Sequence, residues 1–70
     1  MKISPKTRIQ ILPSRELDNI GLKQLAGIIG TVVQAMYRKD GSLYGAWVKL
    51  PMLWQEEKEW FIPEVSLSVV

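Results

Sequence analysis

The stretch that decides the fold runs from residue 28 to residue 50 and reads IIGTVVQAMYRKDGSLYGAWVKL. Both of its halves are rich in β-branched, aromatic and other apolar residues, which favour strands. Asp40-Gly41 lies between the halves, and an Asp-Gly pair between two such runs is typical of a tight β-hairpin. We therefore predict strands over residues 28–37 and 43–50, joined by a turn over residues 38–42.

The two predicted strands differ in how their apolar residues are distributed. Residues 28–37 are apolar on both faces, so either neighbouring segments cover both faces or a bulge near Gly30 changes which face points inward. In residues 43–50, alternation places Tyr44 with Ala46, Val48 and Leu50 on the apolar side. Trp47 then falls on the opposite side.

The segments before this hairpin predict one further strand and a long loop. Residues 6–12 alternate polar and apolar side chains, which places Ile9 and Ile11 on one face of a strand. Residues 15–26 have helical spacing interrupted by Gly21, so we expect a turn or two of helix inside a long loop over residues 13–26. Gly27 is the expected cap of that helical stretch.

The segments after the hairpin predict two short strands. Pro51 is expected to end the preceding strand, and residues 55–59 read as a polar loop. A short strand over residues 60–62 follows, then a 3-10 turn that begins at Pro63, then a last strand over residues 66–70. Five short strands are most simply protected by closing into a small barrel, so the predicted fold class is all-β, with a core of Ile9, Ile11, Val32, Val48, Ile62 and Leu67.

Composition limits both the size and the chemistry of the protein. Seventy residues are enough for a single domain over residues 1–70. The chain has no cysteine and no histidine, so disulfides and the usual zinc, haem and iron–sulfur sites are not expected, and we predict no metal and no cofactor. The formal charge of +2 and the pI of about 9.2 permit a nucleic-acid partner without indicating one. No apolar run is long enough to cross a membrane, and we expect a cytoplasmic protein.

No residue pattern indicates catalysis. The serines and threonines lack the flanking residues of known nucleophile motifs, and the chain has no histidine to activate them. The carboxylates Glu56, Glu57 and Glu59 could imitate a catalytic pair, but a solvated loop explains them better. We therefore predict that the chain is not an enzyme.

Two segments resemble known small barrels. Residues 25–33, LAGIIGTVV, resemble the Gly-x-x-Gly-x-Val core of the KOW motif of ribosomal and transcription-elongation proteins, with Gly27, Gly30 and Val32 at the matching positions. Residues 60–67, WFIPEVSL, resemble the strand, proline turn and leucine that finish many SH3-like barrels. The resemblance implies a five-stranded SH3-like barrel with a long first loop and a 3-10 turn before the last strand. Through KOW proteins it also implies a nucleic-acid or ribonucleoprotein partner.

The sequence departs from both groups of proteins in ways that bear on function. KOW proteins usually have only a short loop before the paired glycines, whereas residues 13–26 intervene here and are not strongly basic. Signalling SH3 domains end in a Pro-x-Asn-Tyr pattern, but Val65 and Ser66 stand at those places. Binding of proline-rich peptides is therefore not implied.

We predict a non-catalytic binding module that makes protein–protein contacts within a larger assembly. The alternatives are a nucleic-acid or ribonucleoprotein binder and an accessory subunit of an enzyme complex. The candidate binding surface consists of Trp47, Lys49, Tyr44, Arg38, Lys39 and Trp54. Trp47 either points outward or is covered by the long first loop, and Trp54 is either a lid on the barrel end or an exposed anchor. A monomer or a weak homodimer is expected.

Overall fold

The computed structural model describes residues 3–70 and contains five antiparallel strands in one sheet. The strands are β1 (Arg8–Ile11), β2 (Ile29–Tyr37), β3 (Leu43–Trp54), β4 (Glu57–Pro63) and β5 (Leu67–Val69). One short helix, α1 (Arg15–Asn19), and a 3-10 turn (Lys23–Leu25) lie between β1 and β2, and a second 3-10 turn (Glu64–Ser66) precedes β5. The prediction of a mostly β fold with a 3-10 turn before the last strand is confirmed.

The order of strands across the sheet is β4-β3-β2-β1-β5. Within residues 3–70, no pairing joins β4 to β5, so these two strands are the edges of an open sheet. The predicted closed barrel is therefore not confirmed. The segment between β1 and β2 packs its own apolar residues against the sheet, so that the inner face is covered without closure of the strands.

The core lies on the inner face of the sheet and combines side chains from strands and loop. The buried apolar residues are Ile3, Ile9, Ile11, Leu17, Leu22, Leu25, Val32, Ala46, Val48, Leu50 and Ile62. Five of the six predicted core residues are among them, and the sixth, Leu67, is half-buried against the cluster. Leu17, Leu22 and Leu25 come from the predicted long loop, so that loop is an essential part of the core.

A pair of serine hydroxyls joins the start of α1 to the turn before β5. Ser14 is the N-cap of α1, and its Oγ accepts a hydrogen bond of 3.0 Å from the Leu17 backbone N–H. The same hydroxyl lies 2.6 Å from the Oγ of Ser66, which is fully buried. Because a buried hydroxyl needs a partner, this contact connects the two segments.

Gly27 and Gly30 have the two backbone roles that their spacing predicts. Gly27 has φ +92°, a left-handed conformation that residues with a Cβ rarely adopt. At Gly30, a Cβ atom would lie 2.5 Å from Val48 Cγ1 and 2.8 Å from the carbonyl oxygen of Lys49. Strands β2 and β3 therefore approach each other here at a distance that only glycine permits.

Two bulges set the faces of β2 and β3. The register shifts between Val32 and Gln34, which leaves Val33 as the extra residue, so of the two alternatives for this strand the structure contains the bulge near Gly30. A second shift leaves Tyr44 unpaired between Leu43 and Gly45. The prediction that Tyr44 shares the apolar side with Ala46 is wrong, because this bulge turns the Tyr44 side chain to the exposed face.

Strands β3 and β4 are longer than the sequence predicts. Pro51 lies inside β3, and it is tolerated there because the β3–β4 register is irregular between Lys49 and Trp54. The predicted polar loop over residues 55–59 is instead a tight turn of Gln55 and Glu56, followed directly by β4. Gln55 has φ +50° and Glu56 has φ +69°, so both residues adopt the left-handed conformation of a two-residue hairpin turn.

The turn between β2 and β3 is held by Asp40. The Ser42 hydroxyl and the Ser42 backbone N–H donate to Asp40 Oδ1 at 2.6 and 2.9 Å. Since these bonds favour the charged carboxylate, the Ser42 side chain and backbone hold the pKa of Asp40 below its ordinary value. Gly41 has φ +88°, as the predicted Asp-Gly turn requires.

Candidate binding surface on the outer face of the sheet

Three aromatic side chains meet on the outer face of β3 and β4, and we call them the outer aromatic cluster: Tyr44, Trp47 and Phe61. Trp47 lies directly opposite Phe61 in the β3–β4 register. Their ring centroids are 5.9 Å apart at 72°, while the Tyr44 and Phe61 centroids are 5.1 Å apart at 40°. Trp47 keeps 40% and Tyr44 keeps 53% of its surface exposed, so the cluster faces solvent.

Gly45 allows Phe61 to lie between the other two rings. A Cβ atom at position 45 would lie 2.9 Å from Phe61 Cε1 and 2.6 Å from the carbonyl oxygen of Ile62. The Phe61 ring therefore occupies the space of a side chain at position 45, an arrangement in which a neighbouring aromatic covers a glycine in a sheet. The Phe61 ring thus fills the space beside Trp47 that the missing side chain of Gly45 leaves.

The cations of the predicted surface are placed differently from one another. The Arg38 Cζ lies 5.3 Å from the centroid of the Tyr44 ring, which is within range of a cation–π interaction. Lys49 is exposed on the same face of β3 as Trp47, but its partner across the sheet is Glu59. Lys39 is exposed in the β2–β3 turn.

Arg38 is also held by two hydrogen bonds. Its Nη1 donates to the carbonyl oxygen of Leu43 at 2.9 Å and to Ser42 Oγ at 3.3 Å. Arg38 lines a cleft of about 410 Å³ together with Glu64 and Leu67. The guanidinium group thus mainly stabilises the turn through hydrogen bonds and contacts the Tyr44 ring.

Trp54 does not belong to the outer aromatic cluster. It packs half-buried against the core and contacts Trp60, with ring centroids 5.0 Å apart at 76°. Trp60 Nε1 donates to the carbonyl oxygen of Glu57 at 3.1 Å. Of the two predicted roles for Trp54, the arrangement fits a lid on one end of the core.

A cleft opens beside Trp47, at the edge of the sheet formed by β4. We call it the edge cleft, and its volume is about 330 Å³, near the small end of the range for ligand sites of roughly 300–1,000 Å³. Its apolar lining consists of Ile20, Leu22, Trp47, Trp60 and Phe61. The charged residues that line it are Glu57 and Glu59, so the charge of the cleft lining is acidic.

Within residues 3–70, no group of three or more acidic, histidine or cysteine side chains lies close enough together to hold a metal ion. The part of the chain that the structure describes also contains no helix with the length and apolarity needed to cross a membrane.

Phe61 is the functional candidate that the sequence reasoning missed. Ile62 is a predicted core residue, so alternation alone puts Phe61 on the outer face. The predicted loop over residues 55–59 hid the β3–β4 register, and with it the position of Phe61 opposite Trp47. The two glutamates of the edge cleft were hidden for the same reason.

Comparisons with models of protein families, with curated protein sequences and with solved structures find no match to this chain. The class of protein therefore has to be argued from the fold and from the outer face of its sheet.

Proposed function

We propose that this protein is a non-catalytic binding module that contacts a protein partner through its outer aromatic cluster, inside a larger cytoplasmic assembly. The observation that carries this proposal is the environment of Trp47. The cleft beside Trp47 is lined by five apolar side chains and by two carboxylates. An apolar and acidic environment suits a protein partner, whereas phosphates require lysine and arginine.

The composition of the cluster supports the same conclusion. Tryptophan and tyrosine dominate binding hot spots, because each combines a large apolar area with few rotatable bonds. Trp47 and Tyr44 are exposed yet are held in place by Phe61 and, for Tyr44, by Arg38. Rings that are ordered before binding lose little conformational entropy when a partner covers them.

An SH3-like barrel is the fold family that we propose for the sheet. Its support is the resemblance of residues 60–67, together with the 3-10 turn at Glu64–Ser66 between β4 and β5. The left-handed conformation of Gly27 and the close packing at Gly30 are compatible with the KOW-like segment.

The experiment is a selection of peptides from a displayed library on the immobilised protein, followed by affinity measurements on three proteins. These are the wild type, Trp47→Ala and the matched control Trp54→Phe, which changes a tryptophan outside the cluster. We expect Trp47→Ala to weaken binding of the selected peptides by about 2 kcal/mol, roughly 30-fold, and Trp54→Phe to leave it unchanged. Selected peptides that bind Trp47→Ala as tightly as the wild type would contradict the proposal.

A second measurement separates protein from nucleic acid. Fluorescent single-stranded RNA and duplex DNA are titrated with the protein at two salt concentrations. We expect no saturable binding, because Lys49 faces Glu59 and Arg38 is engaged in its turn. Binding that falls steeply with salt and is weakened by Lys49→Ala would favour the nucleic-acid alternative instead.

A further inference from the structure

Strand β4 is an open edge of the sheet, and it is long enough to pair with another strand. It spans Glu57–Pro63, whereas the opposite edge strand, β5, spans only Leu67–Val69. Within residues 3–70, the backbone of β4 forms hydrogen bonds with β3 alone. Alternate N–H and C=O groups of β4 therefore point away from the sheet without a backbone partner.

The side chains on the outer face of this edge change from acidic to aromatic along β4. Glu59 lies opposite Lys49, Phe61 lies opposite Trp47, and strand alternation places Glu57 on the same face. The edge thus presents two carboxylates followed by an aromatic ring. Beside it, Ile20 and Leu22 from the segment after α1 supply further apolar lining to the edge cleft.

We propose that β4 pairs with an extended peptide segment of a protein partner, which adds as a sixth strand along the edge cleft. This inference rests on the proposed function and names the class of partner. The charge of the edge determines the chemistry of the segment, because outer-face residues of an added strand lie beside those of β4. Two basic side chains lie beside Glu57 and Glu59, and an apolar side chain lies beside Phe61.

The peptide residues between these positions point to the inner side of the sheet, where one lies beside the exposed Lys58 and the other beside Trp60, which lines the cleft with Leu22. An apolar, preferably β-branched residue suits both positions, because it packs on the Trp60 ring and on the alkyl stem of Lys58. A segment that runs parallel to β4 therefore has the order basic, apolar, basic, apolar, aromatic. A segment that runs antiparallel to β4 has the reverse order.

The probes are two fluorescein-labelled peptides, Lys-Val-Lys-Val-Phe and Phe-Val-Lys-Val-Lys, each flanked by Gly-Ser. The control peptides replace both lysines by glutamate. Fluorescence anisotropy with the wild-type protein is expected to show saturable binding for one of the lysine peptides and none for the glutamate peptides.

The protein variants test the charges of the edge. The double variant Glu57→Lys, Glu59→Lys should weaken binding of the lysine peptide by about tenfold and strengthen binding of the glutamate peptide. The control Glu64→Lys reverses one charge outside the edge cleft, which is half the change of charge in the double variant, and should change binding less than about twofold. Circular dichroism melts verify that all variants are folded.

The backbone is tested by N-methylation, which removes one N–H donor of the peptide at a time. In an added strand, only alternate residues direct their N–H groups to β4. Methylation at one set of alternate positions should therefore abolish binding, while methylation at the other set should leave it within about threefold. Uniform tolerance of N-methylation would overturn strand addition.

The outcomes distinguish this inference from the proposed function. If no lysine peptide binds, but library-selected peptides bind with dependence on Trp47, the edge inference is wrong and the binding module stands. If neither class of peptide binds, both are wrong. We expect sedimentation of the wild type to show a monomer. If the wild type is instead a dimer, and the Glu57→Lys, Glu59→Lys variant is a monomer, then a second copy of this chain pairs with β4. That result would overturn the peptide proposal.

Discussion

The buried contact between Ser14 and Ser66 predicts that replacing both serines by alanine destabilises the protein less than replacing Ser14 alone. In Ser14→Ala, α1 loses its N-cap, which costs about 1 kcal/mol. Among residues 3–70, Ser14 is the only side-chain partner of the fully buried Ser66 hydroxyl, so the same change leaves that hydroxyl unpaired, which costs roughly 1–3 kcal/mol more. We therefore expect Ser14→Ala to lower the free energy of unfolding by about 3 kcal/mol.

Ser66→Ala should cost only about 1 kcal/mol, because Ser14 still accepts from the Leu17 N–H. In the double variant no buried hydroxyl is left without a partner, so the expected loss is about 1.5 kcal/mol. The double variant should thus be more stable than Ser14→Ala alone, by about 1.5 kcal/mol.

Urea unfolding followed by circular dichroism measures all four proteins of this double-mutant cycle. The coupling is the difference between the double loss and the sum of the single losses. A double variant that is less stable than Ser14→Ala, with the two losses simply adding, would refute the reasoning, because the Ser66 hydroxyl would then have another way to be satisfied.

Three further predictions concern the backbone and the turns. Gly30→Val should lower the free energy of unfolding by about 3 kcal/mol or more, because the new side chain clashes with β3. Gly41→Asn should change it by less than about 0.5 kcal/mol, because asparagine tolerates the positive φ of this position. Equal shifts of the melting temperature would contradict the close approach at Gly30. Replacing Gln55-Glu56 by Asn-Gly should raise the free energy of unfolding by about 1 kcal/mol in urea, because both positions have positive φ, and a destabilised variant would count against this turn. Asp40 has a lowered pKa in the folded state, so its charge stabilises the fold above the pKa of the unfolded chain and this contribution is lost as the pH falls through the folded value. Asp40→Asn should therefore show a smaller loss of stability between about pH 5 and pH 2 than the wild type, and an identical pH dependence would contradict this.

The parts of the fold that the sequence predicts correctly depend on local signals. Ile9 and Ile11 are buried because strict alternation leaves them only one face to occupy. Gly27 and Gly41 adopt positive φ where a cap and a hairpin turn require it. At these positions the residue type alone determines the local backbone conformation or the face of the strand, so the prediction does not depend on which other strands pack nearby.

The errors arise where pairing between strands overrides the local pattern. Tyr44 follows the alternation of β3, but a bulge fixed by the register with β2 turns it outward. Gln55 and Glu56 carry no turn signal, yet they form the tight turn across which Trp54 pairs with Glu57 and near which Trp54 packs on Trp60. No single segment of sequence contains this information, since it depends on contacts between segments.

The candidate surface was predicted in part. Arg38 lies over the Tyr44 ring, and Tyr44 and Trp47 both contact Phe61, because the two rings lie near the start of β3 and Arg38 lies in the turn before it. Phe61 joins the group only through the register of β4, and Trp54 is removed from it by packing on the core. Prediction of a surface that spans two strands requires the register as well as the faces.

The order of strands in the sheet has a consequence for how the chain folds. Strands β2, β3 and β4 follow one another along the chain and pair through tight turns, so their contacts are local. The pairs between β1 and β5 join residues 56–60 positions apart, and Ser14 contacts Ser66 across 52 positions. Closing so long a loop costs about 2 kcal/mol more entropy than closing the β2–β3 turn. We therefore expect the three-stranded meander to form before β5 docks onto β1, because its contacts close much shorter loops.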